Sequence, residues 1–562
     1  MTTRNVFVSG GVVVAWMATP ATAQLYHAAN VGGDDGGFGA ALANVGDLNS
    51  DGCDELAAGE PNAVIFGYAD SGRVLVIDGA TGVILLTCEG SRAGWFSGSA
   101  IAGVGDWGSD GVPDFVSGAP GADDSLAGLT DCGSLYLWSG ATGNNVRIKS
   151  GLASSEAVGS ALAGIEDYDG DGYGDLLVGV PATGEARLYD ETLTVLLTLT
   201  GDAADSFGEA VARLGDLDGD GVDDFAVAEP GYDSLLPFKL DRGRVLLYSG
   251  ASTAQLGSVT GLEAGDRFGS TIARLGDLDG DGVDDFAVGA AAADPGGSSD
   301  AGQVRVFSGA TRATLFTLDG AAAGDDFGTA LCGTADLDHD GVPDFAVGAP
   351  DGGSSDIGTV EVRSGADAHV LWTIDGSNHF FAMNESLGQA LAGGDWNGDG
   401  VGDVAAGDPL HSWRDATTWL LHDTGQVQQW LGCPAWSANY GNGLAGRNGV
   451  PSLVAVNDPA FGTTLDVSAA NSSGVATLAL LLSGTAPTSI PYTGGTLLAT
   501  SDLMSLFFTL PAGGILFSED VPDDPTLAFL GVYVQVIQVD AAAVKGVSMS
   551  PGLELRIGYD LP

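Results

Sequence analysis

The sequence predicts an all-β protein: a seven-bladed β-propeller followed by a small β-sandwich-like domain. Three observations carry this. One block of sequence recurs seven times at nearly even spacing. Each copy resolves into short apolar runs divided by Gly, Pro, Asn and Asp, the pattern of strands joined by tight turns. No stretch carries a long amphipathic helical period.

Composition narrows the function classes. The 562 residues carry a formal charge of −55, from 19 Lys+Arg against 74 Asp+Glu. Such a charge argues against nucleic acid or an anionic membrane surface as partner. With 44% of residues hydrophobic and the acids spread along the chain, this is no disordered acidic tail. The 90 glycines show no three-residue period, which excludes collagen.

The N-terminus reads as a secretory signal over residues 1–23. Arg4 supplies a positive start, Val6–Ala18 is apolar, and Ala21-Thr22-Ala23 makes a small-x-small cleavage site before Gln24. Ser9-Gly10-Gly11 breaks the apolar run, which is too short for a spanning helix. The expectation is export to the exterior or the cell surface, with no transmembrane anchor after cleavage. Five cysteines follow: Cys53, Cys88, Cys132, Cys332 and Cys433. Their spacing suits no zinc ribbon. One or two disulfides fit an oxidising compartment, and the odd count leaves at least one thiol without an intrachain partner.

The repeats set the domain plan: leader 1–23, propeller 24–432 and a β-rich domain 433–562. The first Asp of each copy falls at Asp47, Asp106, Asp167, Asp216, Asp277, Asp336 and Asp395, spaced by 59, 61, 49, 61, 59 and 59 residues. Within a copy, the first strand is typified by Ala210–Leu214 and the second by Phe225–Ala228. The third is typified by Gly243–Gly250 and the fourth by Leu315–Leu318. Four short strands per repeat describe a propeller blade. Small residues such as Gly289-Ala290 suit blades that converge on a narrow axis. Phe-Gly stands at 38–39, 207–208, 268–269 and 327–328, and Gly-Ala-Pro at 118–120 and 348–350. Variants of the latter are Gly179-Val-Pro, Ala228-Glu-Pro and Gly407-Asp-Pro. On these residues the chain resembles the FG-GAP repeats of integrin α-subunit propellers, and seven copies match the seven blades of that family.

The loop after the first strand reads Asp-x-Asp-x-Asp-Gly-x-x-Asp. A hard cation such as Ca²⁺ takes six to eight oxygens, and carboxylates at positions 1, 3 and 5 of a tight loop can converge on one point. Gly at position 6 lets the chain reverse, position 7 can offer its carbonyl, and the acid at position 9 can close the shell. No helices flank the loop, so this is not an EF-hand. Loops 3 to 6 are complete: Asp167/Asp169/Asp171/Asp175, Asp216/Asp218/Asp220/Asp224, Asp277/Asp279/Asp281/Asp285 and Asp336/Asp338/Asp340/Asp344. Loop 7 has Asp395, Asn397, Asp399 and Asp403; loop 1 has Asp47, Asn49, Asp51 and Glu55. Loop 2 has Asp106, Asp110 and Asp114 but Gly108 at position 3, and is expected to bind weakest or not at all. The expected cofactor is Ca²⁺, up to seven ions, in a structural role. These loops hold 25 of the 74 acids, so the acidity is in part a repeated cation-binding device.

Antiparallel order puts the Asp-rich loops and the turns between strands 3 and 4 on one face. The 2–3 and 4–1 connections take the other, where the resemblance to integrins places recognition. Residues 60–71 there hold Phe66 and Tyr68; residues 230–242 hold Tyr232, Phe238, Lys239 and Arg242; residues 408–417 hold His411, Trp413 and Arg414. Aromatics beside cations suit a protein or glycan ligand. No G-x-S-x-G, HExxH or phosphate-binding Gly loop is present. His339 sits inside loop 6, and His411 and His422 read as loop histidines. The chain therefore reads as a non-enzymatic binding or adhesion scaffold. The competing class is an extracellular calcium-dependent hydrolase or lyase acting on polysaccharide or phosphodiester. After residue 433 short Val/Leu/Thr runs such as Ser473–Leu482 and Leu530–Val539 predict the sandwich-like domain.

Overall fold

The computed structural model describes residues 25–29 and 36–430, except 236–237, 339, 354–356, 377–385, 399–401, 411, 415–420 and 424–425, together with strand segments between 436 and 556. Residues 1–23, read from sequence as a leader, and His339, Asp399, His411 and Cys433 lie outside the described residues. The chain divides into two compact units, one of them Leu25–Gly432 and the other containing Cys433–Pro562.

The first unit is a ring of seven four-stranded antiparallel sheets. Blade 1 comprises Ala41–Asn44, Leu56–Glu60, Arg73–Ile77 and Ile84–Glu89. Blade 3, the shortest repeat, comprises Ala161–Ile165, Asp175–Val180, Glu185–Tyr189 and Val195–Thr200, with only four residues between its second and third strands. The first strands of successive blades touch one another around the ring, and that of blade 7 (Ala390–Gly394) touches that of blade 1. Second strands are buried throughout, while outer strands alternate or lie exposed.

One element departs from the sequence expectation. Blade 7 supplies only three strands from its own repeat, Ala390–Gly394, Asp403–Asp408 and Gln426–Trp430. Its outer strand is Leu25–Ala29, which pairs antiparallel with Gln426–Trp430 in the register Ala29 with Val427 and Ala28 with Gln428. Reading copies one by one assigns four local strands to each. Closing a ring instead joins its two chain ends in one sheet, which hides an edge and ties residues some 400 positions apart. The 2–3 connections of blades 4 and 7 also form hairpins of their own, Ser234–Leu235 with Phe238–Lys239 and Ser412–Arg414 with Leu421–Asp423.

The structure accounts for the repeated Phe-Gly and Gly-Ala-Pro. The seven glycines at the Phe-Gly position have φ between +90° and +103°, including Gly98, Gly159 and Gly388, where Phe is replaced. Only Gly reaches that region without strain. Six of their N–H groups bond the second strand of their own blade, as in Gly269 to the Gly289 carbonyl at 2.9 Å. Their carbonyls press on the second-strand glycine of the preceding blade. A Cβ on Gly59, Gly118, Gly179, Gly289, Gly348 or Gly407 would collide with the carbonyl of Gly98, Gly159, Gly208, Gly328, Gly388 or Gly39, respectively. The last pair joins blade 7 to blade 1.

Side chains fill the wedge that widens outward from these contacts. The buried clusters each draw on two neighbouring blades: Leu188, Phe207 and Phe225 between blades 3 and 4, and Phe38, Ile77, Trp396 and Val427 between blades 7 and 1. Phe38, Phe207, Phe268 and Phe327 are all buried, each worth about 2–3 kcal/mol of transfer free energy.

The second unit contains a six-stranded and a three-stranded antiparallel sheet. The longest strand, Gly531–Val539, pairs with Thr477–Gly484. No described helix is long and apolar enough to cross a membrane. The expected disulfides do not form among the described cysteines: Cys53, Cys88, Cys132 and Cys332 are buried and free, on different elements. Burial pushes the Cys88 and Cys332 thiols up to about 12.

The seam contacts generate a prediction. Gly179→Ala forces the blade 3–4 seam apart and should cost at least ~1–3 kcal/mol in denaturant unfolding. Gly257→Ala is the control. It lies in the outer strand Gln255–Thr260, and its Cβ would meet nothing closer than 3.8 Å. It should change stability by less than ~0.5 kcal/mol. Equal effects from the two substitutions would remove the seam from this account.

Candidate cation-binding loops

Each Asp-rich loop builds itself from backbone hydrogen bonds. In loop 3 the Asp171 and Gly172 N–H groups donate to the two Asp167 carboxylate oxygens, at 3.0 and 2.7 Å. The Asp171 N–H also reaches Asp169, and the Tyr173 N–H donates to Asp171 at 2.9 Å. Loops 4 and 5 repeat the scheme, with Asp216 and Asp277 accepting from Gly221 and Gly282 at 2.8 and 2.9 Å. In loop 6 Asp336 accepts from Asp340 and Gly341 at 3.2 and 2.8 Å. The position-1 carboxylates are thereby held in place before any ion is considered.

The acid at position 9 does a second job. Glu55, Asp114, Asp175, Asp224, Asp285, Asp344 and Asp403 are all buried. One oxygen accepts a backbone N–H from the start of its own loop: Tyr168 to Asp175 at 2.6 Å, Leu217 to Asp224 at 2.7 Å, Leu278 to Asp285 at 2.8 Å, Leu337 to Asp344 at 2.6 Å and Trp396 to Asp403 at 2.9 Å. The other oxygen accepts from the turn between strands 3 and 4: Gly250 to Asp224 at 2.9 Å, Gly309 to Asp285 at 2.8 Å and Gly365 to Asp344 at 2.9 Å. This one side chain fastens both hairpins of a blade.

Carboxylate oxygens then gather. Those of Asp47, Asp51 and Glu55 lie within 4.8 Å of one another, as do those of Asp167, Asp169 and Asp175. The same holds for Asp216, Asp218 and Asp224, for Asp277, Asp279 and Asp285, and for Asp336, Asp338 and Asp340. Three hard oxygens this close, with no cation side chain among them, fit a divalent ion of the calcium type. The position-5 acids Asp171, Asp220 and Asp281 lie outside these groups and are exposed, and Asp344 holds its backbone bonds apart from its group. In loop 7 Asp395, Asn397 and Asp403 are described.

Loops 1 and 2 differ. In loop 1 the Asn49 amide donates to Glu55 at 3.0 Å and to Asp78 at 3.1 Å, where Asp in other loops presents an oxygen. Asp78, which the repeat pattern did not flag, lies in the 3–4 turn where blade 3 carries Asp190 and blades 2, 4, 5 and 6 carry Ser139, Ser249, Ser308 and Ser364. In loop 2 Asp106 still accepts from Asp110 and Gly111, at 3.0 and 2.8 Å. Among the described residues, its acids form no group like the five above.

The gathered acids are costly without an ion. Burial pushes the Glu55 and Asp175 carboxyls up to about 7, Asp224 and Asp285 to about 6, and Asp344 to about 8, with neighbouring acids adding to the effect and backbone N–H groups opposing it. Folded pKa values above the unfolded ones mean that the folded chain holds protons the unfolded chain has lost. Stability of the metal-depleted protein therefore falls as pH rises from about 4 to about 8. A thermal melt in chelator should be lower at pH 8 than at pH 5, and Asp344→Asn should flatten the upper part of that profile. A chelated melt that climbs over this range contradicts the argument.

Known proteins agree with this architecture. The profile of the FG-GAP repeat matches residues 38–77, 158–195, 207–248, 268–307 and 327–362, in blades 1, 3, 4, 5 and 6. Integrin alpha-V of Gallus gallus is 34% identical over 256 residues, covering 44% of this chain and 19% of that protein. Integrin alpha-IIb of Homo sapiens is 46% identical over 96 residues, covering 16% and 9%. The chain thus spans less than a fifth of the length of these relatives. Among solved structures, the V. cholerae biofilm matrix protein Bap1 aligns with 97% of this chain and 68% of its own at 13% identity, with a TM-score of 0.29, on which nothing further rests. Five FG-GAP repeat matches thus fall within a seven-bladed ring, and over these stretches the chain is similar to integrin α-subunits.

Proposed function

We propose that this chain is an exported, calcium-stabilised binding scaffold that holds a protein or glycan ligand on the face opposite its Asp-rich loops. The reading divides it into a leader over 1–23, a propeller over 24–432 and a β-rich domain over 433–562. The ions belong in the loops, where each neutralises clustered acids and ties a hairpin. The observation that carries the recognition face is where apolar surface lies. Phe66 is 82% exposed, Leu126 fully so, Leu235 78% and Phe238 69%. All four sit on 2–3 connections, and Leu152 and Leu262, also exposed, sit on 4–1 connections. Exposed apolar side chains gathered on one face mark an interaction surface.

Some residues on this face serve the loops instead. Arg244 lies 4.0 Å over the Tyr232 ring, and Lys239 pairs with Glu263 at 2.7 Å. Arg242 bonds the Gly261 carbonyl. The contact residues are therefore taken to be Phe66, Leu126, Leu235 and Phe238.

Two experiments test the reading. Excess EGTA should lower the melting temperature by several degrees, since an ion that binds only the folded state adds stability by mass action. An unchanged melt with no retained metal sinks the calcium half. Arrays of extracellular proteins and glycans should then yield a ligand. Its affinity should fall about tenfold in Phe66→Ala or Phe238→Ala, in line with loss of an aromatic anchor, with the calcium-dependent melt unchanged. A ligand indifferent to both substitutions and to Leu126→Ala places recognition elsewhere.

A further inference from the structure

The seven loops are not seven copies of one site. Loop 2 has the same first and last acids as its neighbours, yet its backbone is threaded differently. In loops 3 to 6 the N–H of position 2 bonds the position-9 acid. In loop 2 the position-3 N–H, of Gly108, takes that place alone, at 2.7 Å from Asp114, whereas in loops 5 and 6 the position-3 N–H reaches the acid at 3.2 and 3.3 Å beside the position-2 bond. The Trp107 N–H turns back to the Gly105 carbonyl at 3.0 Å instead. The other Asp114 oxygen is held by the Gly140 N–H at 3.0 Å. With glycine in place of an acid at position 3, the side chains of Trp107 and Ser109 reach across the blade boundary.

Both side chains land on loop 3. The buried Trp107 donates its indole N–H to the Gly174 carbonyl at 2.6 Å, and the Ser109 and Tyr173 hydroxyls lie 2.6 Å apart. Tyr173 and Gly174 are positions 7 and 8 of loop 3, so the contacts flank the backbone carbonyl that position 7 can offer an ion. The bond is not an automatic property of an indole there. Trp396 occupies position 2 of loop 7, is equally buried, and its indole N–H has no partner.

We propose that loop 2 takes no cation and instead braces loop 3, with Trp107 and Ser109 as positioning residues for the ion of blade 3. The inference rests on the calcium reading above. Pre-positioning the position-7 carbonyl spares loop 3 the ordering cost of binding, so its affinity exceeds that of loops 4 to 6. The ring then holds six ions.

The test is calcium stoichiometry and affinity on the full chain, by equilibrium dialysis and calorimetric titration. Six ions are expected, with Asp110→Ala removing none. Trp107→Phe, and separately Ser109→Ala with Tyr173→Phe, should weaken one class of site about tenfold without changing the count. In an Asp169→Ala background, which disables loop 3, Trp107→Phe should alter no remaining affinity. Seven ions, loss of one ion in Asp110→Ala, or affinities untouched by both brace variants would overturn the proposal while leaving the calcium reading intact. A chain that binds no calcium overturns both. Because Trp107→Phe also removes a buried contact, the milder Ser109/Tyr173 pair separates a brace from a general loss of folding.

Discussion

Two backbones meeting with no Cβ between them is the constraint on which the ring depends. At six seams a second-strand glycine lies against the carbonyl of a Phe-Gly glycine from the next blade. Hydrogen bonds within each blade hold those glycines in a positive-φ turn. Close approach at this point lets the first strands gather round a narrow axis. The wedges that open further out are then filled by aromatic and branched side chains, each cluster shared by two blades. At the one seam that carries Ala228 in place of glycine, a Cβ built on Gly269 would come within 3.1 Å of the Ala228 methyl.

The Asp-rich loops sit on that frame and add a different kind of closure. Their buried ninth acid joins loop to turn through neutral backbone donors, so a blade is knitted even before an ion is counted. The remaining acids cannot be satisfied in that way. Several carboxylates within a few ångströms repel one another, and the buried one resists ionisation. A divalent cation relieves both penalties at once. The opposite face is less regular: its connections differ in length, from four residues in blade 3 to a separate hairpin in blade 4, and they carry the most exposed apolar side chains, Phe66, Leu126, Leu235 and Phe238. A regular frame with irregular loops on one side is the division of labour on which binding surfaces are commonly built.

Much of the site was legible in the chain because its determinants are local. Positions 1, 3, 6 and 9 act within one loop, so their spacing alone implies a shared centre, whereas the position-5 acids Asp171, Asp220 and Asp281 fall outside the gathered groups. The departures at Gly108 and Asn49 could be seen but not interpreted. Their consequences lie in other elements: Gly108 shifts Trp107 onto Gly174, and Asn49 reaches Asp78 in a different turn. Likewise Tyr232 and Lys239 read in sequence as contact residues, but Arg244 and Glu263 lie against them.

The sequence by itself determined the repeat, the four-strand blade, the number of blades and the residues of the acidic loops, since all of these are written in periods short enough to read along the chain. Tertiary structure alone decided how the ring ends. Leu25–Ala29 has no turn signal linking it to Gln426–Trp430, and its five residues resemble many other short strands. Its place follows from closure, because a sheet with a free edge at the last blade is completed by whichever strand the geometry of a seven-membered ring brings beside it. The same holds for the seams. A glycine in a strand reads as weakness in sequence and proves, once the next blade is in place, to be what leaves room for it at six of the seven seams.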